Sequence, residues 1–494
     1  MKILPSTLYE AAAVRELDRL AIEERQIPGY TLMVRAGQVL LQAVDDHFPD
    51  VKRMVVLCGA GNNGGDGYVL ARMARARGVE VDVVALADPA RLKGDAALAC
   101  ATFREAGGTT YDWSPKRLEG ADLIVDAIVG TGLTRPLSGG AATVVAAVNA
   151  ASIPVLAVDL PTGLHADRGA VLGTAIRASV TVTFIGLKIG LFQGAGPDRA
   201  GTIVFDDLGV GSALADRVTP VAQRIDRSLL AKTLPRRRRD SHKGQYGHVL
   251  VIGGGIGMPG AARLAGEGAL RAGAGRVTVA TWPENVAAVV AGRPELMVMG
   301  IDEPSKIGSL LNRVDVVAIG PGLGTDGWAQ GLMRTVEVSG LPMVLDADAL
   351  NLIAAHPRPR RDVIMTPHPG EAATMLKCET RAVQKDRRAA VAALCERFGG
   401  VVALKGSGTL VARKGDLPWL CERGNPGMAT AGMGDVLTGV IAGIAAQNND
   451  LFAAARCGVL AHALAGDAAA RDGERGLTAT DLLAQLRRVL NASV

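Results

Sequence analysis

Two stretches of this chain set glycines beside groups that can move a proton or hold an anion. The first is Cys58-Gly59-Ala60-Gly61-Asn62-Asn63-Gly64-Gly65-Asp66-Gly67. Glycines let the backbone approach a phosphate closely, and the amides at a helix N-terminus attract anions. The inserted asparagines and aspartate supply polar groups that a plain turn does not require. The second is Asn425-Pro426-Gly427-Met428-Ala429-Thr430-Ala431-Gly432-Met433-Gly434-Asp435. A glycine-rich turn that opens a helix presents amides to a transferring phosphoryl group, and Asp435 can take a proton from an attacking hydroxyl. Phosphoryl transfer consists mostly of positioning and charge stabilisation, so these are fitting parts. A helix-capping aspartate after a loop is the rival reading of Asp435. The upstream Lys405-Gly406-Ser407-Gly408-Thr409 favours the chemical one.

Other polar groups stand where apolar runs end. Asp126 is followed by Gly130-Thr131-Gly132-Leu133-Thr134-Arg135-Pro136, and Asp159 by Pro161-Thr162-Gly163; Lys188 sits in Gly186-Leu187-Lys188-Ile189-Gly190. The second half adds Gly253-Gly254-Gly255-Ile256-Gly257-Met258-Pro259-Gly260-Ala261 and Gly320-Pro321-Gly322-Leu323-Gly324. Leu345-Asp346-Ala347-Asp348-Ala349-Leu350-Asn351 and Thr366-Pro367-His368-Pro369-Gly370-Glu371 follow. In open parallel sheets ligands bind beyond the carboxyl ends of the strands, so such loops converge on one crevice. The residues alone leave rivals open. Asp126 and Asp159 also read as helix caps. His368, between two prolines, also reads as a buried structural histidine. Asp346 and Asp348 fit magnesium ligands or a purely structural loop.

The elements that must position these groups alternate between strand and helix. Thr7 and Glu10 stand at capping-box spacing before Ala11, and a second helix is expected over 31–44. Apolar runs at 54–57, 81–85, 123–128, 155–160 and 180–185 predict strands. A second series lies at 248–252, 277–280, 316–319, 343–345, 363–365 and 401–404. Near-continuous Val/Ile/Leu runs separated by helices predict parallel sheets covered on both faces. The pattern weakens across 216–240, which ends in Arg236-Arg237-Arg238-Arg239 and reads as a solvated linker. The expected domains are 1–215 and 241–494.

Composition sets the outer limits. A chain of 494 residues with 48% hydrophobic and 21% charged residues is globular rather than disordered. A net charge of +5 is small for that length and does not argue for nucleic acid. The six cysteines show no CxxC spacing, which argues against a zinc site or disulfide framework. Pro5, Ser6 and Glu10 interrupt any leading apolar segment, and no apolar run reaches the ~18 residues that cross a bilayer. A cytoplasmic protein with no membrane and no nucleic-acid partner is expected.

The first half, over residues 8–215, resembles the NAD(P)H-hydrate epimerase family through Gly61-Asn62-Asn63-Gly64-Gly65-Asp66-Gly67, Asp126 with Gly130-Thr131-Gly132, and Asp159-Leu160-Pro161-Thr162-Gly163. The resemblance implies hydrate contacts at Asn62, Asn63, Gly64, Gly65 and Asp66, at Gly130, Thr131, Gly132, Leu133, Thr134, Arg135 and Pro136, and at Asp159. It implies a potassium ion held by Asn63, Asp126 and Thr162. Asp159 is the candidate to accept and return a proton. The family often has acids where this chain has Val34 and His165, and a serine where it has Thr162.

The second half, over residues 225–490, resembles the ADP/ATP-dependent NAD(P)H-hydrate dehydratase family of the ribokinase-like superfamily. The Leu345–Asn351 run and Gly434-Asp435-Val436-Leu437-Thr438-Gly439 carry the likeness. It implies hydrate contacts at Ala261, Gly322, Gly324, His368 and Asp435. It implies nucleotide contacts at Lys405, Gly406, Ser407, Gly408, Thr409 and Gly434. The family usually has Gly at 431 and Thr or Ser at 433, where this chain has Ala431 and Met433.

The fold expected is α/β throughout: a Rossmann-like doubly wound domain, then a ribokinase-like α/β domain. The function expected is repair of hydrated nicotinamide nucleotides. The R and S hydrates of NADH or NADPH are epimerised, and the S form is dehydrated with ADP or ATP, magnesium and potassium assisting. ADP is the preferred nucleotide of bacterial-type members, and both families commonly assemble as homo-oligomers. The alternatives are a ribokinase-like small-molecule kinase fused to a nucleotide-binding regulatory domain, marked by a stable phosphorylated product, and a non-catalytic nucleotide sensor.

Overall fold

A computed structural model describes residues 4–491, apart from the side chains of residues 212 and 213. The chain forms two compact units, residues 1–223 and 224–494. The stretch 216–240 carries the strand Ala222–Arg224 and the helix Ser228–Thr233, and Ile225 and Leu230 are buried in the second unit's core. Within the arginine run, Arg237 lies 3.6 Å from the centroid of the Tyr246 ring and Arg238 pairs with Asp240.

The first unit is built on a seven-stranded sheet. Its order is Thr110–Tyr111, Glu80–Ala85, Arg53–Cys58, Leu123–Ala127, Val155–Val158, Val180–Phe184 and Thr202–Asp206, with every pairing parallel. Successive side chains of a strand point to opposite faces, and here both faces are covered. Met54, Val56 and Cys58 join one core with the helices Ala11–Glu23, Gly29–His47, Asn62–Ala76 and Gly94–Glu105. Val55 and Leu57 join another with Gly139–Ala150. That is why the apolar runs are continuous rather than alternating. The chain winds outward from Arg53–Cys58 one way and from Leu123–Ala127 the other, so the crevice opens between those two strands.

The start of the chain departs from the capping-box expectation. Thr7 lies in a short strand, Thr7–Tyr9, that runs parallel to Leu187–Lys188 and pairs Tyr9 with Lys188. Pairing removes Thr7 from the helix end. The first helix begins at Ala11, whose amide donates to Asp167 Oδ1 at 2.7 Å, a cap from 156 residues away.

Nine strands of the second unit lie in the order Met297–Gly300, Arg276–Thr281, His248–Ile252, Val316–Ile319, Met343–Leu345, Arg360–Met365, Gly399–Leu404, Thr409–Arg413 and Trp419–Cys421. The first seven run parallel and the last two antiparallel. The direction of winding reverses between His248–Ile252 and Val316–Ile319. Helices Pro259–Arg271, Met433–Ala445, Leu451–Ala469 and Ala479–Asn491 contribute to its large core.

Glycine lets two of these helices meet backbone to backbone. A Cβ on Gly439 would stand 1.8 Å from the Ala265 carbonyl oxygen. Neither backbone can yield without moving a helix, and overpacking of this kind costs about 1–3 kcal/mol. Gly439→Ala is therefore expected to lower the denaturant midpoint, read by urea unfolding, and to shift the Met433–Ala445 helix that carries Asp435.

Candidate functional site

In each unit the candidate site lies at the carboxyl end of the sheet, where the winding reverses. In the first, the turn after Arg53–Cys58 is held tight. The Gly59 amide donates to the Ala127 carbonyl at 3.0 Å, and a Cβ on Gly59 would stand 1.9 Å from the Ile128 carbonyl oxygen. The helix Asn62–Ala76 starts at once, with Gly61 as its cap residue and no side-chain cap. Its first amides are therefore available at the crevice. Asn63, Asp159 and Gly130 converge: the Cβ position of Gly130 lies 2.8 Å from Asn63 Oδ1 and 3.2 Å from Asp159 Oδ2. Residues 131–136 form a loop that is mostly exposed, with Arg135 and Pro136 open to solvent.

Neither Asp126 nor Asp159 caps a helix, which removes that reading of both. Asp126 is wholly buried and takes hydrogen bonds from the Thr162 amide and hydroxyl, each at 2.7 Å, and from the Ile128 amide at 3.3 Å. Burial pushes its carboxyl up to about 6, against the lowering effect of those bonds. Asp159 has left-handed backbone geometry, φ +65°, and pairs with the buried Lys188. Asp66 is half-buried beside them, and burial, then the nearby Asp159 and Asp18, hold its carboxyl well above the usual range. Asn63 has a buried side-chain nitrogen with no partner among the described residues. Of the departures, His165 is a loop residue whose Nδ1 accepts from the Asp167 amide at 3.1 Å, and Val34 packs against the core.

The second site centres on an ion pair between the part-buried Lys405 and the buried Asp346. Lys405 Nζ donates to Asp346 Oδ1 at 2.7 Å and lies 3.7 Å from Glu371 Oε2; Thr438 Oγ1 donates to Asp346 Oδ2 at 2.7 Å. Against burial, Asp346 and Glu371 hold the Lys405 ammonium above its usual value. Asp348 Oδ2 accepts from the Gly324 amide at 2.8 Å, which ties the loop 320–324 to the helix Asp348–Ala355. Gly322, at φ +58°, lies against Ala261, whose Cβ would be 3.1 Å from a Cβ added there.

Gly432, in left-handed geometry, caps the helix Met433–Ala445, so Asp435 is not the cap but the third residue of the first turn. Its carboxylate takes no hydrogen bond from the described residues. Burial, then the neighbouring Asp346, push its carboxyl up to about 6, with Lys405 opposing. Gly434 leaves the Lys405–Asp346 pair uncovered: a Cβ would stand 3.3 Å from Lys405 Nζ. Met433 is buried in the core, so the departure at 433 puts a side chain away from the crevice. Its carbonyl accepts from the buried, neutral ring of His462 at 2.9 Å, whose pKa burial lowers to about 4.

His368 is more than half exposed, which removes the buried structural reading. It caps the helix Pro369–Leu376, its Nδ1 accepting from the Gly370 and Glu371 amides at 3.0 and 3.2 Å.

The motif reading missed three groups. Arg387 is fully buried and donates to the carbonyls of Leu404, Lys405 and Gly408 at 3.0, 3.2 and 3.3 Å, which fixes the loop 405–409. No local pattern marks an arginine whose partners lie 17 to 21 residues on. His462, outside every motif, and Glu371, inside one that gave it no role, act through partners that only the fold reveals: the Met433 carbonyl for the first, the His368 amide at 2.7 Å and Lys405 for the second.

A family model for NAD(P)H-hydrate dehydratase matches residues 249–488, and one for the YjeF-related protein N-terminus matches residues 29–190. The bifunctional NAD(P)H-hydrate repair enzyme of Coxiella burnetii is 44% identical over 487 residues, which span 98% of this chain and 100% of that protein. The Escherichia coli K12 protein of the same name is 44% identical over 492 residues, 99% of this chain and 95% of its own. Among solved structures, an ADP/ATP-dependent NAD(P)H-hydrate dehydratase from Bacillus subtilis, co-crystallised with ATP and Mg2+, is 33% identical with a TM-score of 0.51. It covers 55% of this chain and 98% of its own. With two crevices built on matching motifs and full-length likeness to these relatives, the chain belongs to the family of bifunctional NAD(P)H-hydrate repair enzymes.

Proposed function

We propose that the first unit interconverts the R and S hydrates of NADH and NADPH. The second dehydrates the S hydrate with ADP, or with ATP, releasing AMP or ADP and phosphate. The observation that carries this is Asp435, at the N-terminal turn of Met433–Ala445 beside the Lys405–Asp346 pair, its carboxylate taking no hydrogen bond from the described residues.

In the second unit Asp435 takes the proton of the hydrate's hydroxyl as that oxygen attacks the terminal phosphorus of the nucleotide. The new O–P bond forms, the bridging P–O bond breaks, and its electrons leave with AMP or ADP. The ring nitrogen's lone pair then expels phosphate as the carbon–oxygen bond breaks, and loss of a proton from the adjacent carbon restores the double bond. Phosphate leaves far more readily than hydroxide. The unpaired amides of the first helical turn stabilise charge that develops on the transferring group. Residues 405–409 and Gly434 hold the nucleotide, and Ala261, Gly322, Gly324, His368 and Asp435 contact the hydrate.

Magnesium would enter with the nucleotide's phosphates. Asp346 does not fit as its ligand, because the Lys405 ammonium already neutralises its carboxylate, so the structural reading of that loop is the better one.

In the first unit Asn62 to Asp66 receive the hydrate's phosphates and Asp159 accepts and returns the proton. The residues there fit potassium. Asp126 is a buried carboxylate with no basic side chain among its hydrogen-bond partners, the Thr162 hydroxyl is bonded to it, and Asn63 has an unpartnered buried amide atom. A half-turn of that amide presents its oxygen instead. Asn63, Asp126 and Thr162 would hold the ion, which would neutralise Asp126 and fix the loops beside the substrate.

Two outcomes follow. Steady-state kinetics on the S hydrate are expected to give a higher kcat/KM with ADP than with ATP; the reverse order would overturn the ADP assignment. Arg387→Leu strips three buried carbonyls of their donor and frees the loop 405–409. Displacements of about 1 Å near a reacting centre cost up to ~10²-fold. The variant is expected to raise the nucleotide KM at least about tenfold with epimerase turnover unchanged; an unchanged nucleotide KM would remove Arg387 from the site.

A further inference from the structure

The two oxygens of the Asp159 carboxylate are not equivalent. Oδ1 takes the Lys188 ammonium and the Thr183 hydroxyl, the latter at 3.2 Å. Oδ2 takes no hydrogen bond from the described residues and faces the gap at Gly130, 3.2 Å from where a Cβ would stand. The backbone fixes this orientation from below: Asp159 sits at φ +65°, and its amide donates to the Val182 carbonyl at 2.7 Å.

Lys188 is equally constrained. It is 1% exposed, and its other hydrogen bonds run to Thr183 Oγ1 at 3.1 Å and the Phe184 carbonyl at 2.9 Å, so three partners engage its three donors. Its backbone is held by the parallel pairing of Leu187–Lys188 with Thr7–Tyr9. A buried ammonium with no free donor does not reach the substrate. What it does is hold one oxygen of Asp159 and leave the other to the crevice. Asp18 and Asp66 also face this ammonium, and burial raises both carboxyls, which leaves Asp159 as its bonded partner.

We infer that Lys188, with Thr183, is a positioning residue of the epimerase: it clamps Asp159 Oδ1 so that Oδ2 is the oxygen that exchanges the proton with the hydrate. The inference rests on Asp159 as the proton carrier, and the test separates the two.

Epimerase kinetics are measured on the R hydrate with the full chain, and dehydratase kinetics on the S hydrate serve as an internal control. Lys188→Met is expected to lower epimerase kcat by about 30-fold or more with KM within about twofold, since an interaction that matters only in the transition state lowers kcat. Thr183→Val keeps the volume and the Lys188 charge, and is expected to lower kcat several-fold by the same signature; it carries the test alone should Lys188→Met fail to fold. The double variant Asp159→Asn/Lys188→Met is expected to be no slower than Asp159→Asn, because residues that act as a unit are non-additive.

Full epimerase kcat in both Lys188→Met and Thr183→Val would overturn the inference while leaving Asp159 in its role. Losses that multiply in the double variant would overturn it too, as a separate structural effect. Full activity in Asp159→Asn would overturn the reading beneath it.

Discussion

Asp435→Asn is expected to lower dehydratase kcat on the S hydrate by about 10²–10⁴-fold, the usual contribution of a general base, and to leave epimerase turnover untouched. The amide matches the carboxylate in size but cannot take the substrate's proton. The wild-type pH profile supplies an independent check. A base whose carboxyl is pushed up to about 6 is protonated below that value and ionised above it. Dehydratase kcat/KM is therefore expected to fall about tenfold per pH unit below ~6 and to level off above it. In Asp435→Asn that acid limb should vanish from whatever activity remains. A variant with wild-type turnover would remove Asp435 from the chemistry; loss of both activities would mean misfolding and would leave Asp435→Ala to decide.

Asp159→Asn should produce the mirror image. Epimerase turnover on the R hydrate is expected to fall by about 10²–10⁴-fold while dehydration of the S hydrate continues. Dehydration of a mixture would then stop at the S fraction, apart from slow spontaneous epimerisation. The substitution also removes the partner of the buried Lys188 ammonium, and an uncompensated buried charge destabilises by about 3–5 kcal/mol. Kinetics and thermal unfolding must therefore be measured together. Retained epimerase activity at normal stability would show that the proton moves through another group.

The strands that line both crevices were legible because their residues are buried on two faces. The runs at 248–252, 316–319 and 343–345 coincide with His248–Ile252, Val316–Ile319 and Met343–Leu345. Edge elements were not. Thr110–Tyr111, Leu187–Lys188 and Trp419–Cys421 are two or three residues long, too short for a period to register, and Met297–Gly300 is largely exposed, so burial leaves no apolar run to read. Thr7 carried a capping signal that its antiparallel pairing with Gln223 overrode.

The site divides in the same way. Glycine loops, Asp126, Asp159 and Asp435 stand in local patterns whose chemistry can be named. Whether Asp126 caps a helix or binds Thr162 depends on a residue 36 positions away, and the Lys405–Asp346 pair spans 59. Such partnerships come from topology, which places the ends of distant strands side by side. The same holds for Arg387 and His462, which have no signature along the chain, and for Lys188, which stands out at a strand end but whose partner Asp159 lies 29 residues away.

Pairing the two activities in one chain follows from stereochemistry. A dehydratase selective for one epimer strands the other, and an epimerase alongside it removes that dead end.

The most direct test uses the purified protein, a mixture of R and S NADH hydrate, magnesium and potassium, and follows the return of NADH absorbance with ADP, with ATP and with neither. The expected result is nucleotide-dependent recovery that runs past the S fraction to near completion. Recovery that stops at the S fraction would contradict the epimerase assignment, and no recovery with either nucleotide would contradict the repair function itself.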